Sequence, residues 1–67
     1  MDIGLKLRQL RVKNHYSQQY VANYLSISRN AYLAWENNNT ELTLSKLIFL
    51  CKLYDIDLKT LLFIKIV

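Results

Sequence analysis

Sixty-seven residues with nine Lys and Arg against five Asp and Glu, a formal charge of +4, make one small basic domain. A chain this short buries only about 60% of its unfolded surface, so it needs a staple or very regular local packing. The single cysteine excludes an intramolecular disulfide, and one His beside one Cys is a poor metal kit.

Proline is absent and Gly4 is the one glycine, whereas sheet domains of this size need more turn residues; an all-α domain is expected. Ile3, Leu7, Leu10 and, more weakly, Val12 recur at near-helical spacing, with Lys6, Arg8, Arg11 and Lys13 mostly between them. That pattern predicts an amphipathic first helix over about 2–14. Asp2 is its N-cap or first-turn acid, and Asn14-His15 is its end. Ser17 caps a second helix over about 17–25 that buries Val21, Ala22 and Leu25, although Tyr20 stands where a capping box wants Glu or Gln. Leu25-Ser26-Ile27 is the turn.

Ser28 opens a third helix over about 28–36, with Ala31, Tyr32 and Trp35 inward and Arg29, Asn30, Leu33 and Ala34 outward. Asn37 to Asn39 end it, because Asn readily enters the left-handed backbone region. Thr43 or Thr40 starts a fourth helix reaching Tyr54, with Leu44, Leu47, Leu50, Cys51 and Tyr54 as its stripe. Asp57 caps a fifth helix over about 57–63, carrying Thr60, Leu61 and Leu62, and an apolar tail occupies 63–67. Two helices of eight or nine residues joined by so tight a turn, the second opening on Ser28-Arg29-Asn30, point to a helix-turn-helix that lays one helix in a DNA major groove.

Several classes of function fall away. The start lacks the apolar run and cleavage site of a signal peptide, and no stretch approaches the ~20 apolar residues of a membrane span, so the cytoplasm is the expected compartment. No Ser/His/Asp set, metal cluster or phosphate-cradling glycine loop is present, and neither catalysis nor a cofactor is expected. The positive excess is on residues 1–40, where Lys6, Arg8, Arg11, Lys13 and Arg29 oppose Asp2 and Glu36; residues 41–67 set four lysines against three acids. A phosphate-bearing partner suits that distribution. Tyr16, Tyr32, Trp35 and Tyr54 read as core rather than as a stacking platform for bases, His15 as a helix-end residue, and Cys51 as an inert core thiol.

Taken in order, IGLKLRQLR at 3–11, SQQYVA at 17–22, LSISRNAYLAWENN at 25–38 and LTLSKLIFLCKLYDIDLKTLL at 42–62 resemble the Cro/lambda-repressor type of helix-turn-helix domain, the Xre family. The resemblance covers nearly the whole chain and implies a compact five-helix lambda-repressor-like fold. This chain departs from the family in having Ser26 and Asn38 where glycines are usual, and Tyr32 and Trp35 where aliphatic side chains are more usual.

The implied DNA contacts are Gln18 to the backbone, while also buttressing the reading helix, and Arg29 and Asn30 to bases. Arg suits guanine O6 and N7, and Asn suits adenine N6 and N7. Leu33 and Ala34, one turn on, lack donors and could only meet a thymine methyl or set the depth of approach. Ser28 is first a cap, and Asn37 is the preferred phosphate contact among three asparagines that must also reverse the chain. The resemblance makes Arg11 and Glu36 a structural ion pair. Ile48, Phe49, Leu53, Phe63, Ile64, Ile66 and Val67 are more apolar surface than so small a bundle can bury. Either they form a homodimer through the fourth and fifth helices and the tail, or the tail continues into a longer chain. The expected function is a double-stranded DNA-binding transcriptional regulator, a repressor acting as a homodimer. The alternative is a protein-interaction module, such as an antitoxin-like partner-binding domain, on the same fold.

Overall fold

The computed structural model describes residues 3–40 and 42–63. It holds five helices: α1 Ile3–Lys13, α2 Gln18–Tyr24, α3 Arg29–Glu36, α4 Leu44–Tyr54 and α5 Leu58–Phe63. Asp2 and the tail residues Ile64, Ile66 and Val67 lie outside the described residues, as does the Phe63 side chain.

Small polar residues fix where the helices begin. Ser17 and Ser28 hold extended backbone while their Oγ atoms accept from the amides of Tyr20 at 3.0 Å and Ala31 at 3.1 Å. Thr43 Oγ1 accepts from the Lys46 amide at 3.3 Å, so Thr43 and not Thr40 caps α4. Asp57 Oδ1 accepts from the Thr60 amide at 2.6 Å at the head of α5. Each bond supplies an acceptor for an amide that the helix itself leaves free, typically stabilising by about 1 kcal/mol.

The first four helices end alike. His15, Ser26, Asn38 and Asp55 have φ between 54° and 60°. The next residue then bonds back to the last turn: Tyr16 N–H to Arg11 O, Ile27 to Ala22, Asn39 to Ala34 and Ile56 to Cys51, at 2.8 to 3.0 Å. This is the Schellman arrangement, usually made with glycine. Here four L-residues hold a backbone that disfavours a Cβ by about 1–2 kcal/mol each.

Leu7, Leu10, Val21, Ala22, Leu25, Tyr32, Trp35, Leu50, Cys51, Tyr54 and Leu61 form the core, with α1 and α2 packed on α3 and α5 packed on α4. Tyr16 is half-buried and stacks with Tyr54 at 6.1 Å and Tyr20 at 4.6 Å between ring centroids, which ties the α1–α2 connection to α4. Gly4 permits a close approach: a Cβ there would lie 2.7 Å from the Trp35 carbonyl oxygen and nearer still to that of Glu36. Its amide donates to Asn38 Oδ1 at 3.0 Å.

Four expectations need correction. Lys6 does not lie on a solvated face; it is buried and its ammonium donates to the Leu62 carbonyl. Ala31 is exposed, because the buried stripe of α3 runs through Tyr32, Trp35 and Glu36, one residue further round. Leu44 is 59% exposed; at the head of α4 the buried side begins with half-buried Lys46 and Leu47 instead. Leu33 and Ala34 are half-buried rather than fully outward. Among the described residues no helix is long and apolar enough to cross a membrane, and no three His, Cys, Asp or Glu side chains gather as a metal site.

Candidate nucleic-acid interface

An α-helix of eight residues is about 12 Å long, close to the width of the DNA major groove. The buried stripe of α3 is held against α1 and α2, so Arg29, Asn30, Leu33, Ala34 and Asn37 share the opposite side at spacings of one, three and four residues. Arg29 and Asn30 are exposed, and their side chains bond to no other described residue. The half-buried Leu33 and Ala34 follow, and exposed Asn37 ends the row as the C-cap of α3. Donors therefore occupy both ends of this face and apolar groups its middle.

The far end of α3 is anchored by charge. Arg11 Nε donates to Glu36 Oε2 at 2.7 Å and Arg11 Nη2 to Glu36 Oε1 at 3.3 Å, a bidentate pair with side chains only 13% and 3% exposed. Arg11 Nη1 donates to the Tyr16 carbonyl at 3.1 Å. Gln18 is half-buried and its Nε2 donates to Glu36 Oε1 at 3.4 Å, so one face of its amide serves α3. Burial alone would push the Glu36 carboxyl up; hydrogen bonds and charge from Arg11 outweigh it and hold the group below its ordinary value. The same hydrogen bond raises Arg11. The Tyr32 hydroxyl is turned toward Glu36 but makes no hydrogen bond of normal geometry with a described residue, and burial raises its pKa.

The link from α2 to α3 is short and fixed at each step. Leu25 caps α2, Ser26 has φ 58° with its amide on Asn23 O at 3.1 Å, Ile27 packs against the core, and Ser28 caps α3. Two helices of seven and eight residues joined in this way, the second held below and bare above, form a helix-turn-helix. A family model described as a helix-turn-helix domain matches residues 4–63. The chain belongs to that family. No curated protein and no solved structure matches it.

Membership makes this helix-turn-helix domain a DNA-binding regulatory domain, in keeping with the resemblance to the Cro/lambda-repressor type. Two of its features have no local signal in the sequence. Gly4 has no sequence signal beyond being the one glycine. Nor has Lys46, whose ammonium donates to the Leu25 carbonyl at 3.2 Å across 21 residues of chain.

Proposed function

We propose that this domain is a sequence-specific regulator of transcription on double-stranded DNA, a repressor binding a near-palindromic operator as a homodimer in the cytoplasm. The observation that carries the reading is the pair of exposed side chains, Arg29 and Asn30, which bond to no other described residue and lie on the solvent side of a helix held rigidly from below. Arg29 and Asn30 choose bases, each good bidentate pair discriminating by roughly 1–3 kcal/mol. Leu33 and Ala34 set the depth of approach. Gln18, Ser28 and Asn37 meet phosphates and fix register.

Leu44, Ile48 and Phe49 leave an exposed apolar strip on α4, and this supports the dimer. On α5, Leu61 is buried and Leu58 and Leu62 are half-buried, so among the described residues α4 supplies more of that surface. Two-fold pairing sets two α3 helices about 34 Å apart on successive major-groove faces. The same apolar strip, with donor-poor Leu33 and Ala34, favours a second reading: a partner-binding module that keeps the fold.

Selection of bound duplexes from a random pool tests the proposal, followed by affinities across a salt series. A base-reading domain enriches a related set of sites and loses affinity steeply with salt. Arg29→Ala relaxes preference at one base position per half-site, whereas Lys13→Ala weakens all duplexes alike. A pool that shows no enrichment, with binding indifferent to salt, overturns DNA reading in favour of the partner-binding module.

A further inference from the structure

We propose that Lys46 is a positioning residue for base reading: from the head of α4 it pins the turn that sets the angle of α3. Its Nζ donates to the carbonyl of Leu25, the C-cap of α2, at 3.2 Å. The contact joins segments 21 residues apart in the chain. The location is informative because Lys46 is the third residue after the cap Thr43, among the free amides of α4, where its charge is disfavoured. At the carbonyl end of α2 the sign reverses, and a cation is stabilised. Lys46 is half-buried and its own amide is tied to Thr43 Oγ1 at 3.3 Å, so the ammonium is delivered from a fixed base.

The peptide unit that Lys46 holds is the one before Ser26. Ser26 has φ 58°, strained for a residue with a Cβ. Relaxation of Ser26 to negative φ turns the Leu25–Ser26 peptide plane and withdraws its oxygen from the ammonium. Lys46 thus opposes the motion that would release the turn, and Ile27 and Ser28 carry the fixed direction into α3. This inference rests on the DNA-reading proposal above, but its first readout does not. In Lys46→Met the amides of Ser26 and Ile27, bonded to Asn23 O and Ala22 O, exchange with solvent roughly fivefold faster than in the unaltered chain, while amides inside α1 keep their rates.

The second readout uses a duplex selected from the random pool and a scrambled duplex of equal length. Lys46→Met binds the selected duplex about tenfold more weakly and the scrambled one within about twofold, with the same slope of log affinity against log salt. Lys46→Arg, which keeps a cationic donor, restores preference. If both affinities fall together and the slope drops by about one, Lys46 is a phosphate contact and the inference is overturned. Unchanged exchange and unchanged preference overturn it equally. Should Lys46→Met fail to fold, Lys46→Gln carries the same comparison. Absence of any site preference in the unaltered chain fails the parent proposal instead, and the exchange rates then decide whether Lys46 holds the turn.

Discussion

Removing Glu36 tests the anchoring of α3 most directly. Its carboxylate accepts from Arg11 at 2.7 and 3.3 Å and from Gln18 at 3.4 Å, and it is 3% exposed. Glu36→Ala leaves the Arg11 guanidinium, itself 13% exposed, facing only the Tyr16 carbonyl among its described partners. An uncompensated buried charge of this kind costs about 3–5 kcal/mol. A domain of this length has roughly 3–10 kcal/mol of stability in total, so the loss removes about a third or more of it and, at the low end of that range, brings the variant to its unfolding midpoint without denaturant. Urea unfolding followed by circular dichroism measures the difference. Arg11→Met with Glu36→Leu recovers most of it, because the charge is then gone as well. The pH dependence has a definite sign. The folded carboxyl is held below its ordinary value of 4.5, so its contribution is full above that value and is lost as pH falls through the lower, folded one. Glu36→Gln therefore flattens the loss of stability below about pH 4.5. A loss under about 1 kcal/mol for Glu36→Ala, with an acid profile unchanged in Glu36→Gln, would refute the anchoring argument.

Gly4→Ala should destabilise, against the usual gain of up to ~1 kcal/mol for that exchange inside a helix, because the new methyl meets backbone oxygens that cannot swing aside. About 1–3 kcal/mol is expected, read from the shift of the urea midpoint. Ser26→Gly should go the other way: relief of left-handed strain, less the entropy glycine adds to the unfolded chain, nets roughly 0.5–1 kcal/mol and a higher melting temperature. An unchanged or lower melting point would show that Ser26 carries no such strain. Cys51 is buried, and burial raises its thiol pKa; it should resist alkylation by iodoacetamide until urea unfolds the domain, so rapid labelling in buffer would contradict its placement.

Much of this arrangement is legible in the chain because it is local. Ser17, Ser28, Thr43 and Asp57 announce helix starts by their own side-chain oxygens, and the spacing of Val21, Ala22 and Leu25 marks the inner side of α2. Other features depend on where remote elements land. Lys6 sits at a spacing that reads as solvated, yet α5 ends against it and supplies the Leu62 carbonyl. Helical spacing puts Ala31 inward beside Tyr32, but Tyr32 and Trp35 are large enough to set the rotation of α3, with their rings 6.0 Å apart edge to face, and the small methyl is left outside. Leu44 obeys the stripe of α4 but, as its first residue, is exposed, and contact with the core starts at Leu47. At the candidate site the residue types of Arg29 and Asn30 were legible. The support from Lys46 was not, since it joins segments 21 residues apart.

The single carboxylate of Glu36 serves α1 through Arg11, α2 through Gln18 and α3 as its own helix. Neither α1 nor α3 can lift away without stranding a charge inside the protein, and departure of α2 costs the Gln18 bond to the same carboxylate, so the three helices are coupled when this half of the chain loosens. A helix that cannot fray alone meets any ligand already ordered. Little conformational freedom then remains to be surrendered on contact, and more of each new bond survives as affinity.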